Sequence, residues 1–267
     1  MRVVQEGVYD RMDIPNAAHR PWPLPNRPWV MAMQWHDLLF MHWPVQPAVL
    51  RPFIPPALEL ETFDDAAWLG VTPFRMEGTR PRLVPPVPWC STFPELNVRT
   101  YVSAGGKSGV WFFSLDAANP LAVRGARYLF HLPYYDAAMV SERDGDGVRY
   151  TSTRTHRGAP DAAFAGRYRP IGPAYDAAVD SIEYWLTERY CLYTANRRGQ
   201  VWRGDIHHAR WPLQPAEAEI ACNTMIDPLG LRLPPREPLL HFARRLDVVA
   251  WMLEAVNGAQ RLAASME

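Results

Sequence analysis

The chain has 267 residues, 48% of them hydrophobic, and its 28 Lys and Arg balance 28 Asp and Glu. That bounds a globular protein of one large or two small domains, and the zero formal charge leaves no net positive field to displace phosphate counterions, which excludes the electrostatic case for nucleic acid. Lys107 is the only lysine, so Schiff-base chemistry has a single candidate amine.

Cys90, Cys191 and Cys222 are odd in number and far apart, which argues against a disulfide framework or a cysteine zinc site and favours a reduced, cytoplasmic setting. No window approaches the roughly 20 apolar residues of a membrane span. Pro 27 against Gly 16 implies stiff turns and short elements.

In chain order, residues 1–28 end in RPWPLPNRP, an extended polyproline-like arm expected to lie along the body or against a neighbouring subunit of a homo-oligomer. Residues 29–267 read as one domain. Leu38–Trp43 is a buried strand, Pro47 suits the first turn of a short helix through Phe53, and residues 58–74 read as a hairpin turning at Asp64-Asp65. Residues 95–103 alternate strictly: Leu96, Val98, Thr100 and Val102 face one way, and Glu95, Asn97, Arg99 and Tyr101 the other. One strand face thus offers a carboxylate, an amide, a guanidinium and a phenol.

GGKSG is the following turn and residues 110–116 the returning strand. Asn119-Pro120 starts a helix that places Arg124, Arg127, Tyr128 and His131 on one face, as cationic and acid/base groups for a cavity or as a solvated face. Asp144–Gly147 turns another hairpin. Asp180-x-x-Glu183 resembles a capping box before IEYWLTERY, with Glu188 and Arg189 as an internal ion pair. His207 and His208 are adjacent on a strand and so face opposite ways, which argues against a shared metal; His208 or His207 is a lone pocket histidine. Residues 239–256 read as strand with a helical end. The sum is an α+β protein built on a large antiparallel sheet. No phosphate-binding loop, dinucleotide fingerprint or nucleophile elbow occurs, so no nucleotide cofactor or serine hydrolysis is expected.

The segments WHDLLFMHWPV, FPELNVRTYV, FFSLDAANPLAVRGARYLFHLPYY, LTERYCLYT and IHHARWPLQ together resemble the YqjF-like proteins, a bacterial family of unknown function, across about residues 33–253. That family is similar to the acetoacetate decarboxylase superfamily. The resemblance implies a cone-shaped antiparallel β-barrel around a central pocket, with Glu95, in Phe93-Pro94-Glu95, at the position of a pocket acid. It puts Tyr134-Tyr135 where the superfamily carries its Schiff-base lysine pair, and no arginine near Trp35, where the substrate-carboxylate arginine would lie. The expectation is cofactor-independent acid/base chemistry on a small organic acid or carbonyl compound. In it Glu95, Tyr134 and His131 are catalytic, and Asn97, Arg99, Tyr101, Arg124, Arg127 and His208 contact the ligand, without metal. The alternative is a protein that binds such a molecule without transforming it.

Overall fold

The structure, a computed structural model, describes residues 16–87 and 89–256. In chain order it runs β1 (Met31–Val45), α1 (Pro47–Leu50), β2 (Glu59–Leu60), β3 (Ala67–Pro81), β4 (Phe93–Ala104), β5 (Lys107–Ala117), α2 (Pro120–Leu129), β6 (Tyr134–Asp144), β7 (Gly147–Arg154) and β8 (Ala163–Pro170). Then come α3 (Ile182–Thr187), β9 (Cys191–Ala195), β10 (Val201–His208), β11 (Leu213–Asn223), β12 (Leu239–Ala250) and β13 (Glu254–Ala255). Local chemistry sets several boundaries. Gly105 and Gly106, with φ of 58° and 73°, make the tight turn between β4 and β5. The Asn119 side chain caps α2 by accepting from the N–H groups of Leu121 and Ala122, with Pro120 at the first helical position.

All the strands join one sheet that closes on itself, because β5 pairs with β4 and β10 pairs with β12. The closure is double. The first part of β5 pairs parallel with β9 through Val110 and Trp111, and its last part pairs parallel with β6 through Leu115–Ala117. Similarly, β12 meets β11 around Ala243 and β10 around Val248. Among the described residues, one circuit of strands therefore runs through β9 and β10 and a wider one through β6, β7, β8 and β11. Both share the wall β12-β1-β3-β4-β5.

That shared wall explains the burial. Leu96 and Val98 of β4 pack with Leu39, Met41, Val71, Tyr150 and Phe164 in the core of the wider circuit. The opposite face contributes Leu38, Phe40, Phe74, Leu115 and Tyr134 to the core of the narrower one. The helix α2 packs on this second core through Val123, Ala122 and Ala126. Leu186 and Trp185 of α3 pack against Tyr101, Trp68 and Val110.

Several expectations need correction. The short strand β2 pairs with β4 rather than forming a hairpin with β3, since Asp64 and Asp65 take left-handed conformations in a local turn between Phe63 and Ala66. Ser181, not Asp180, caps α3, because its Oγ reaches the Tyr184 N–H. The C-terminal stretch through Val256 holds no helix; after β12 the chain adds β13 to the edge of β10. The arm is not among these corrections, since one of its two expected placements was along the body: its described part, from Asn16, meets its own chain, with Arg20 donating to the Ile206 carbonyl and Trp22 to Asp205.

Asp37 clamps the wall. It sits at an irregularity of β1 with φ 53°, is 1% exposed, and its carboxylate meets Arg75, Arg143 and Arg244 from three other strands. Asn tolerates the left-handed conformation, so Asp37→Asn removes the charge alone. We expect it to cost about 2–3 kcal/mol, because three guanidiniums lose their shared counter-ion. The check is a urea titration, with a lowered midpoint at unchanged slope.

Candidate functional site

The inner face of the narrower circuit carries the polar side chains. Residues opposite one another in antiparallel register point the same way. Glu95, Asn97 and Arg99 of β4 are thereby aligned with Phe74, Thr72 and Gly70 of β3, and His42 of β1 lies next to Gly70. The alternation read from the sequence is real. Because the wall is shared, the apolar face of β4 is equally buried rather than being the inside of a half-exposed strand.

Glu95 is 2% exposed, and the Tyr134 hydroxyl donates to its Oε2 over 2.8 Å. Burial pushes the carboxyl up to about 8, against the opposing pull of the Tyr134 hydrogen bond; the Asp116 carboxylate adds to the rise. The side chain is therefore a neutral acid at pH 7. Burial and the neighbouring Glu95 push the Tyr134 phenol well up as well. The backbone is held from the opposite core, where the Tyr150 hydroxyl lies 2.8 Å from the Glu95 carbonyl oxygen and 3.1 Å from that of Phe74.

Arg99 does not pair with Glu95. Its guanidinium lies over the Phe40 ring at 5.2 Å and near Tyr101 at 6.0 Å. The Tyr101 hydroxyl meets His42 Nε2 at 2.6 Å, and burial, with Arg99 beyond, holds the His42 imidazole well below its usual range. Gly70 makes this approach possible: a Cβ there would stand 3.1 Å from His42 Cδ2 and 3.2 Å from Arg99 Cγ. Several buried polar atoms of this inner layer find no protein partner: Asn97 Oδ1, Thr72 Oγ1, Arg99 Nε, His42 Nδ1, Trp211 Nε1 and Trp35 Nε1.

The remaining candidates separate. Arg124 and Arg127 are on the solvent side of α2, since the Val123 face is the one that packs inward; Arg124 donates to Pro120 O and Arg127 to Tyr134 O. The helix ends at Leu129, so His131, with φ 51°, leaves that face and borders a surface groove of about 270 Å³ with Phe53, Trp111 and Tyr193. All three stay outside the inner layer. A second surface groove of about 500 Å³ lies between Arg167, Arg169 and Glu217. His208 does face inward, stacked on Tyr190 at 4.7 Å, but both ring nitrogens face backbone carbonyls, and burial pushes it down to about 4. His207 points the other way, stacked on His19 of the arm. Glu188 and Arg189 do not pair: Glu188 accepts from the Tyr190 hydroxyl and the Trp211 backbone N–H, whereas Arg189 pairs with Glu61. Tyr135 faces away from Tyr134 and covers Arg154, which pairs with Asp116 at 2.7 Å.

The sequence reading missed His42, Thr72 and Trp211 as partners of this layer. Only the i, i+2 spacing of Phe40 and His42 signals an inward histidine, and it becomes informative once strand pairing is known. Among the described residues no cluster of His, Cys, Asp and Glu suits a metal ion, and no helix is long and apolar enough to cross a membrane.

Residues 32–247 match the model of DUF2071, described as an uncharacterized conserved protein. The chain belongs to this family. The Uncharacterized protein YqjF of Bacillus subtilis (strain 168) is 49% identical over 230 residues, which are 86% of this chain and 94% of that one. The fold is that of acetoacetate decarboxylase-like proteins. The acetoacetate decarboxylase of Legionella pneumophila superposes with TM-score 0.58 at 16% identity, covering 98% of this chain and 100% of that one. The enduracididine biosynthesis enzyme MppR, complexed with pyruvate, gives 0.60 at 10%, covering 88% and 93%.

The burial of Glu95 has a consequence for stability. Its carboxyl titrates near 8 in the folded chain and near 4.5 when unfolded, so the folded form holds its proton longer. Stability is then lost as pH rises from about 4.5 to about 8, and is flat in this contribution beyond. Glu95→Gln should abolish that loss, so the variant gains on the wild type through this window. Chemical denaturation at a series of pH values measures it; parallel curves would rule it out.

Proposed function

We propose that the interior beside β4 binds a small organic acid or carbonyl compound, and that Glu95 performs proton transfer on it. The observation that carries this reading is a buried carboxylic acid with one oxygen held by Tyr134 and no guanidinium partner. A carboxyl that titrates near 8 is partly ionised at neutral pH: the ionised form takes a proton from the carbon beside the ligand's carbonyl, and the acid so formed returns a solvent-exchanged proton to the enolate carbon. Tyr134 orients Glu95 and keeps the second oxygen free for the ligand. Arg99 and Asn97 supply charge and hydrogen bonds along the same strand face. The decarboxylase-like fold supports the choice of ligand class by analogy alone.

Imine chemistry has no support. Lys107 is the first residue of β5, at the far end of β4 from Glu95, nine residues and about 30 Å along the strand. Its ammonium lies 5.6 Å from the Trp22 ring. That position also favours a second reading, binding without turnover.

A thermal-shift screen of small organic acids and carbonyl compounds finds the ligand, since binding raises the melting temperature whether or not it reacts. Each hit is then incubated in D2O and followed by proton NMR. We expect exchange of hydrogens beside the carbonyl, reduced at least a hundredfold in Glu95→Gln. A hit without exchange selects the binding-only reading. No hit, or unchanged exchange in the variant, contradicts the proposal.

A further inference from the structure

The inner layer has two ends that differ chemically. At one, Glu95 and Tyr134 form a neutral pair. Four residues along β4, Arg99 lies over Phe40. Trp211 meets the edge of the same Phe40 ring at 4.9 Å, and Trp35 stacks on Trp211 at 5.8 Å. Arg99 Nε, Trp211 Nε1 and Trp35 Nε1 are all donors, all buried, and none has a protein acceptor.

An unpaired buried donor costs about 1–3 kcal/mol, so three joined by one run of contacts, Arg99 and Trp211 on Phe40 and Trp35 on Trp211, favour an acceptor among them. An anion suits this acceptor position, since no carboxylate is paired with Arg99: Glu61 is engaged by Arg189 and Ser108, and the other side chains on Arg99 are the neutral Tyr101 and His42. Arg99 also keeps solvent-accessible surface while its Gly70, Phe40 and Tyr101 neighbours are buried, so a bound group can reach it.

The two ends are well separated. Positions 95 and 99 lie about 13 Å apart along the strand. Their side chains also lean apart, Glu95 towards Tyr134 at the start of β6 and Arg99 towards Phe40 of β1, on opposite sides of β4 in the strand order. A circuit of this few strands is only wide enough for side chains or one slim molecule.

We propose that the Arg99–Trp211–Trp35 cluster is an anion subsite and that the ligand is an elongated oxo-acid. Its carboxylate lies at Arg99 and its carbonyl at Glu95, with a chain or ring between them too long for a three- or four-carbon keto acid. This rests on the proposed role of the Glu95 site and adds its length and charge requirement. Asn97 and Thr72, midway along and without partners of their own, take any polar substituent in between.

The test is calorimetric titration of the full chain with a graded set: pyruvate, acetoacetate, 4-oxopentanoate, 6-oxoheptanoate, 7-oxooctanoate and 4-acetylbenzoate, beside 2-octanone as the neutral control. We expect at least tenfold tighter binding for the 6-oxo and 7-oxo acids than for pyruvate or acetoacetate. Arg99→Met should weaken the long acids at least thirtyfold and leave 2-octanone unchanged. Trp211→Phe keeps an aromatic ring beside Phe40 while removing the indole N–H and part of the stacking surface; it should weaken the same acids three- to tenfold and leave 2-octanone within twofold. Short acids binding as tightly as long ones, or long acids indifferent to both substitutions, would overturn the subsite and leave the Glu95 reading standing. If nothing in the set binds, the subsite and the Glu95 reading fall together. Binding lost in Glu95→Gln but kept in Arg99→Met overturns the subsite alone.

Discussion

The constraint on which this protein depends is a five-strand wall buried on both faces. Because β5 and β12 each change partner part-way along, the strands β12-β1-β3-β4-β5 serve two circuits at once. Where the two circuits overlap, as along the middle of β4, a strand has no solvent face on which to place polar residues. Any polar side chain on β4 therefore pays desolvation, and must be satisfied by hydrogen bonds, by a counter-ion or by a ligand. The apolar face, Leu96 and Val98, meets the requirement by packing. The other face carries Glu95, Asn97, Arg99 and Tyr101 into the interior.

The buried acids meet that requirement in different ways. Asp37, Asp116 and Asp205 each face at least one guanidinium, which keeps a charge in a low-dielectric setting tolerable. Glu188 fills both oxygens, one with the Tyr190 hydroxyl and one with the Trp211 backbone N–H. Glu95 has neither arrangement: a single phenol on one oxygen, and the nearest arginine on its strand turned towards Phe40. Neutralisation is the remaining way to bury it, and a neutral carboxylic acid is a proton donor. The donors without protein acceptors, Arg99 Nε, Trp211 Nε1 and Trp35 Nε1, carry the same desolvation cost with no counter-group of their own.

How much of this was legible in the sequence depends on the range of the interaction. The polar face of β4 could be read from period-two alternation, a purely local property, and so could the capped start of α2 at Asn119-Pro120. Tyr134 entered as a site residue through family resemblance, at the position of the superfamily's lysine pair; its bond to Glu95 came only with the fold, since no local rule joins residues 39 positions apart. The helical face of Arg124, Arg127 and His131 was periodic but misassigned. Periodicity finds two faces of a helix, and only the packing of Val123 and Ala126 tells which is inside. His42, Thr72 and Trp211 needed register and loop placement, which the sequence alone leaves open. The second burial of β4 was equally invisible, because it follows from the partner exchange of β5 and β12.

Glu95 is thus the residue on which the account stands or falls. The direct measurement is an NMR titration of its side-chain carboxyl carbon in selectively labelled protein, assigned by comparison with Glu95→Gln. The account predicts a midpoint near 8, moving higher in Tyr134→Phe as the hydrogen bond that favours ionisation is lost. A midpoint near the ordinary glutamate value of 4.5, or one indifferent to Tyr134, would contradict it.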